Sequence, residues 1–158
     1  MRRTAVVLAL VLLAPAAALA ATRADFDRVV DFSVTLKSLA AAADGTQPLP
    51  TGKMIVLTGT VSSVTIVNKD PATFQVRIEL ITGEWFGLDD VKAYSCYVDF
   101  TGQEFFRIFP ARAPAQPTPD MVLQNARVLV AGRATSIVTT PLGEKRVVVD
   151  GASIRVIE

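Results

Sequence analysis

The stretch 54–67, MIVLTGTVSSVTIV, decides between folds. Its Val, Ile and Thr content is that of a β-strand. Ile55, Leu57, Gly59 and Val61 share one parity, whereas Val64 and Ile66 share the other. Side chains on a strand alternate with period 2, so one buried face can run through this segment only if the chain bulges or bends at Ser62-Ser63. Gly59, in mid-strand, supports strong bending. A long first strand that bends is what a small closed barrel requires.

Toward the N-terminus, Leu36, Leu39, Ala40 and Ala43 fall on one helical face, with Ser33 as N-cap and Gly45 as the stop. A loop over 47–52 separates this helix from the strand. The preceding stretch 21–32 satisfies helical and strand spacing equally, and both readings stay open. Toward the C-terminus, 68–71 (NKDP) is a turn, after which Phe74, Val76, Ile78 and Leu80 alternate with Gln75, Arg77 and Glu79. The stretch 95–100 repeats the pattern, with Cys96, Val98 and Phe100 inward and Ser95, Tyr97 and Asp99 outward, which makes the one cysteine a small core residue. A proline-rich connection (Pro110, Pro114, Pro117, Pro119) leads to a long strand over 125–137 with Gly132 at its middle. The last strand shifts parity between Val147, Val149 and Ile154, Val156, which requires a second bulge.

These elements amount to a mainly β domain, a five-stranded Greek-key barrel over 52–158 preceded by a short helix and loop over 21–51. Gly52-Lys53, Thr58-Gly59-Thr60-Val61, Cys96-Tyr97-Val98 and 128–133 (VLVAGR) resemble the strand signatures of secreted bacterial OB-fold domains, of the group similar to the tRNA-anticodon-binding OB domain. OB barrels bind ligands on the face of their second and third strands and in the loops joining strands one to two and four to five. The resemblance therefore implies Gln75, Arg77 and Tyr97 as binding residues on that face, with Lys69 from the first loop and Lys145 from the second.

Two aromatics between glycines, Trp85-Phe86 within 83–87 (GEWFG), form the most suggestive local feature. Exposed, they would anchor a peptide, glycan or protein partner. Folded back, they would close one end of the barrel, and a small barrel's need to fill its ends favours this reading. The same argument places Phe105, Phe106, Ile108 and Phe109 in the element that seals the barrel bottom.

Composition limits the chemistry. The 158 residues contain no histidine and one cysteine, which removes Ser-His-Asp and Cys-His catalysis and a His/Cys zinc cage. The S-x-x-K, G-x-G-x-x-G and P-loop patterns are absent. Asp89-Asp90, the only adjacent acidic pair, reads as a polar turn or helix start rather than an acid/base or calcium site. The expectation is a non-enzymatic binding or assembly module without cofactor or metal. A protein or envelope component is the expected partner. Single-stranded nucleic acid or oligosaccharide on the strand two and three face is the alternative. Nucleic acid is set aside because that face shows one outward aromatic, Tyr97, beside Glu79 and Asp99, and stacking sites usually hold several aromatics above a basic groove.

A mean hydropathy of +0.41 owes much to residues 1–20. Arg2 and Arg3 precede an uncharged run over 5–14, Pro15 breaks it, and Ala18-Leu19-Ala20 offers an A-x-A cleavage site. The run is shorter than the roughly 20 residues that span a bilayer, so it reads as a secretory signal peptide. Removing its two arginines from the 16 basic residues leaves 14 against 15 acidic ones, a near-neutral mature domain destined for the periplasm or the medium. Intact mass of the exported protein should begin at Ala21; retention of residues 1–20 in a soluble cytoplasmic product would overturn the export reading.

Overall fold

The computed structural model describes residues 23–87, 90–112 and 114–157. The signal segment and Asp89 lie outside them. No helix among the described residues is long and apolar enough to cross a membrane.

The ambiguous N-terminal stretch divides between the two readings: α1 is Arg23–Val29, and β1, Val30–Asp31, pairs parallel with the start of the next strand. Helix α2 is Leu36–Ala43. Its N-cap is Thr35, not Ser33. The Thr35 hydroxyl accepts from the Ser38 amide at 3.2 Å while Ser38 Oγ accepts from the Thr35 amide at 2.9 Å, a reciprocal box that Ser33, tied by its amide and hydroxyl to Asp31, cannot form.

Strands β2 (Met54–Asn68), β3 (Gln75–Phe86), β4 (Asp90–Thr101), β5 (Arg127–Thr139) and β6 (Lys145–Val156) form the barrel. They pair in the order β2-β3-β4-β6-β5, and β5 closes back onto β2, which is the order of an OB-fold; β1 adds a sixth, edge strand. Strand β2 holds both neighbours by dividing its length. Ile55 to Thr60 pair with β5, and Thr60 to Asn68 pair with β3. The register shifts between Val61 and Ser63, where the sequence required a bulge. A Cβ at Gly59 would stand 2.8 Å from the Ile81 carbonyl oxygen and 2.9 Å from Leu80 Cγ, so only glycine lets the strands cross this closely at the bend. The second bulge lies on β6, between the pairs Ala131–Ser153 and Gly132–Gly151.

The core is the inward parity of these strands: Ile55, Leu57, Ile78, Leu80, Cys96, Val98, Val130 and Val149 are all 2% exposed or less. At about 1.5–3 kcal/mol for each large aliphatic side chain, this burial is the main term favouring the fold. Helix α2 buries Leu36, Leu39, Ala42 and Ala43 against β4 and β6, which hydrogen-bond to each other over only three residue pairs. Phe105 and Phe109 flank the Phe100 ring at 4.9 and 5.5 Å where β4 ends. Phe106 departs from the expected seal. It is 41% exposed and sits edge-on against Phe74 at 5.5 Å, because the 3-10 turn Gln103–Phe106 points successive side chains to different sides.

The Phe100 ring lies directly over Gly151, and a Cβ there would meet the ring carbons. Phe105 and Phe109 pack against the same ring. Gly151→Ala should therefore cost about 1–3 kcal/mol by overpacking, seen as a lower denaturant midpoint at unchanged m-value; an unchanged midpoint would show that the ring can move.

Candidate functional site

Strands β3 and β4 pair without interruption from Gln75–Thr101 to Phe86–Asp90. They are longer than the alternation of the sequence suggested, and beyond Ile81 they pair only with each other, as a hairpin projecting past the point where β2 turns away. The glycine-flanked segment is thus not a loop. Since Val76, Ile78 and Leu80 point inward, the odd-numbered residues Gln75, Arg77, Glu79, Ile81, Gly83 and Trp85 share the outward face, opposite Thr101, Asp99, Tyr97, Ser95, Ala93 and Val91.

This corrects the closed-barrel reading of Trp85-Phe86. Trp85 is 71% exposed and Phe86 46% exposed, because the hairpin carries both away from the core. Their parity separates them. Trp85 stands in the same outward row as Arg77, eight residues along β3, roughly 26 Å at strand rise. Phe86 lies on the reverse face, with Lys37 Nζ of α2 5.8 Å from its ring centroid. Lys37 also binds Glu84 at 2.8 Å, and this contact raises the lysine's pKa and lowers the carboxylate's. Helix α2 thereby braces the hairpin from behind. The brace was not legible from strand patterning because its partners are 47 residues apart.

At the barrel end of the row, Arg77 and Asp99 are direct cross-strand neighbours joined by two hydrogen bonds of 2.6 and 2.7 Å. The Asp99 hydrogen bonds hold the guanidinium's pKa above its ordinary value. The same guanidinium lies 5.2 Å from the Tyr97 ring centroid. With both partners more than a third exposed, the ion pair contributes about 0.2–1 kcal/mol and the ring contact about 0.5–1 kcal/mol, enough to fix a rotamer but not a fold. A groove of ≈ 390 Å³ runs over this corner between Arg77, Glu79 and Tyr97 on one side and Thr139, Thr140 and Pro141 of the β5–β6 turn on the other, floored by Ser63 and Thr65 of β2. A second hollow, lined by Thr60, Ile81, Gly83 and Arg127, continues along the sheet toward the hairpin.

The other expected residues sit at the margins. Gln75 is exposed at the start of β3, and Lys145 opens β6 opposite Thr139 on the groove's rim. Lys69 does not reach the face: it lines a different groove, beyond β2. Arg127, absent from the sequence-based set, enters through the register Arg127–Thr60–Ile81, which no local pattern announces.

No family model matches the chain, and no curated protein matches it. Among solved structures it is similar to a small single-stranded DNA-binding protein from Streptomyces coelicolor, at 15% identity and a TM-score of 0.42, over 66% of this chain and 91% of that one. It is also similar to an SSB from Plasmodium falciparum in complex with ssDNA, at 13% identity and 0.44, over 66% of this chain and 94% of that one. A third is the N-terminal domain of PriB from Thermoanaerobacter tencongensis, at 12% identity and 0.40, over 66% and 96%. The expectation of a protein or envelope partner, with nucleic acid set aside, is corrected here. The premise of a single outward aromatic, on which nucleic acid is set aside, fails because Trp85 joins Tyr97 on the face.

Cys96 is fully buried and unpaired, and burial, with a smaller contribution from Glu79, pushes its thiol pKa up to about 12. It is a core residue, not a nucleophile. An aromatic disulfide reagent at pH 8 should leave it untouched in the folded protein and titrate it fully in denaturant. Because the folded value lies above the unfolded one, the unfolded state loses its proton first, and the thiol's contribution to stability should decline from about pH 9 to about pH 12. Rapid native labelling would place Cys96 at an accessible site instead.

Proposed function

We propose that this protein binds single-stranded nucleic acid along the outward face of β3 and β4. One observation carries the reading: a single unbroken strand pair presents Tyr97, capped by Arg77, and exposed Trp85 on one outward face. Stacking on aromatic side chains is the sequence-tolerant way to hold single strands, at about 1–3 kcal/mol per base, and OB-folds accommodate about four or more nucleotides. The hydroxyls of Ser63, Thr65, Thr139 and Thr140 around the groove supply hydrogen-bonding partners for sugar and base edges. We propose further that the module is exported and not catalytic. The N-terminal export pattern supports the first; the absence of histidine and the inert Cys96 support the second.

One observation favours a second reading, a neutral oligosaccharide stacked on the same aromatics: Arg77 is already closed by Asp99, and Glu79 lies beside it.

Trp85 is the only tryptophan, so its emission reports on the face directly. Titration with oligo-dT at low salt should quench it. Trp85→Ala and Tyr97→Ala should each weaken binding of a labelled oligonucleotide by roughly 5- to 150-fold, the equivalent of about 1–3 kcal/mol. No binding at low salt would overturn the nucleic-acid reading, and quenching by a neutral oligosaccharide with no salt dependence would establish the second.

A further inference from the structure

The stacking face is short of the cations a phosphodiester chain needs. Arg77 is spent on Asp99, Glu79 adds a negative charge, and Arg127 and Lys145 offset it only from the margins. Single-strand binding ordinarily neutralises several phosphates, each adding about 0.7 to the salt slope. The missing positive charge lies across β2. Strand β5 pairs with β2 only as far as Thr60, so beyond that point the β2 edge facing away from β3 has no strand beside it. A groove of ≈ 780 Å³ follows that edge; its polar lining is Thr65, Lys69, Arg112, Gln124 and Asn125, set among apolar residues, with no carboxylate among the described residues that line it. Thr65 of β2 lines this groove and the stacking groove alike, so the two lie on either side of one strand.

Lys69 and Arg112 are both exposed, and neither forms an ion pair with a described residue. The nearest acid in sequence, Asp70, is occupied: its carboxylate accepts from the Ala72 amide at 2.9 Å, as the cap of the short 3-10 turn Pro71–Thr73. Asn68 holds the same turn by donating to the Thr73 carbonyl at 2.9 Å and accepting from the Asp70 amide at 3.0 Å, so Lys69 projects from a pre-formed loop. The opposite wall is fixed too, since Gln124 Nε2 donates to the Ser62 carbonyl at 2.9 Å.

We infer that the Lys69–Arg112 groove is a phosphate subsite, taking the backbone of the strand whose bases stack on Tyr97 and Trp85. The inference rests on the nucleic-acid reading of that face, but the groove can be probed without it. Inorganic tripolyphosphate, which has no base to stack, should bind the wild-type protein in a calorimetric titration and not the Lys69→Ala/Arg112→Ala variant. The same variant should still quench Trp85 with oligo-dT, while its slope of log K against log salt becomes shallower by about 1.4, two cations' worth. Equal tripolyphosphate binding by both proteins, or an unchanged slope, overturns the subsite. Tripolyphosphate binding that depends on the two cations, without any quenching by oligo-dT, leaves the subsite standing and removes the stacking reading.

Discussion

The bend of β2 is the constraint on which the rest of the structure depends. One fifteen-residue strand must pair with β5 along its first half and with β3 along its second, and the two partners diverge where it turns. Gly59 permits the close crossing over Leu80 and Ile81, and the bulge after Val61 returns apolar side chains to the interior once the strand has changed direction. Without the bulge, Val64 and Ile66 would face water and the barrel would lose part of its lining. The two features proposed to bind follow from the same turn. Because β2 leaves β3 at Thr60, β3 and β4 run on alone as the hairpin that exposes Trp85. Because β5 leaves β2 at the same residue, the far half of β2 keeps an edge that no strand covers, and the Lys69–Arg112 groove forms beside it.

This constraint was readable in residues 54–67 because apolar parity is a long-range requirement expressed locally: a strand that switches its apolar set must bulge wherever it is buried on one face. The buried cysteine, the second bulge and the inward set of β3 and β4 followed by the same logic. The hairpin did not, and its composition explains why. From Ile81 to Phe86 the residues are Ile, Thr, Gly, Glu, Trp and Phe, with aromatics on both parities and glycine at one position. A strand pair without a core beneath it has no one-sided apolar demand to write into its sequence, so it resembles a glycine-rich loop. The misplaced helix cap has a similar origin. Ser33 and Thr35 are both competent N-caps by type, and the choice between them depends on whether a serine three residues on can reciprocate.

The proposed binding face was partly legible for the reason the hairpin was not. Arg77 and Tyr97 lie within the alternating core segments, where parity assigns them outward without ambiguity. What alternation cannot give is register. That Arg77 faces Asp99, and that Arg127 reaches the same sheet surface through Thr60, depends on which residues of distant strands lie side by side. The pairing of Arg77 with Asp99 changes the character of the site: a cation counted from sequence as available for a ligand is half of an internal ion pair, and it serves to orient Tyr97.

On the proposed reading, setting much of the charge apart from the stacking surface has a physical consequence. A guanidinium held by a carboxylate and laid near a tyrosine ring is a flat, rigid, nearly neutral platform, and little side-chain entropy remains to be lost when a planar group settles on it. The hairpin has a contact of its own behind it, the Lys37–Glu84 ion pair to α2. A cluster of free cations at the centre of the stacking surface would draw any polyanion to it, whatever the polyanion's shape. Set across β2 instead, Lys69 and Arg112 reinforce only a ligand that can lie on the platform and cross the strand in one pass. Selection for an extended, flexible chain with planar groups then arises from the distance between two modest sites, neither of which need bind tightly alone.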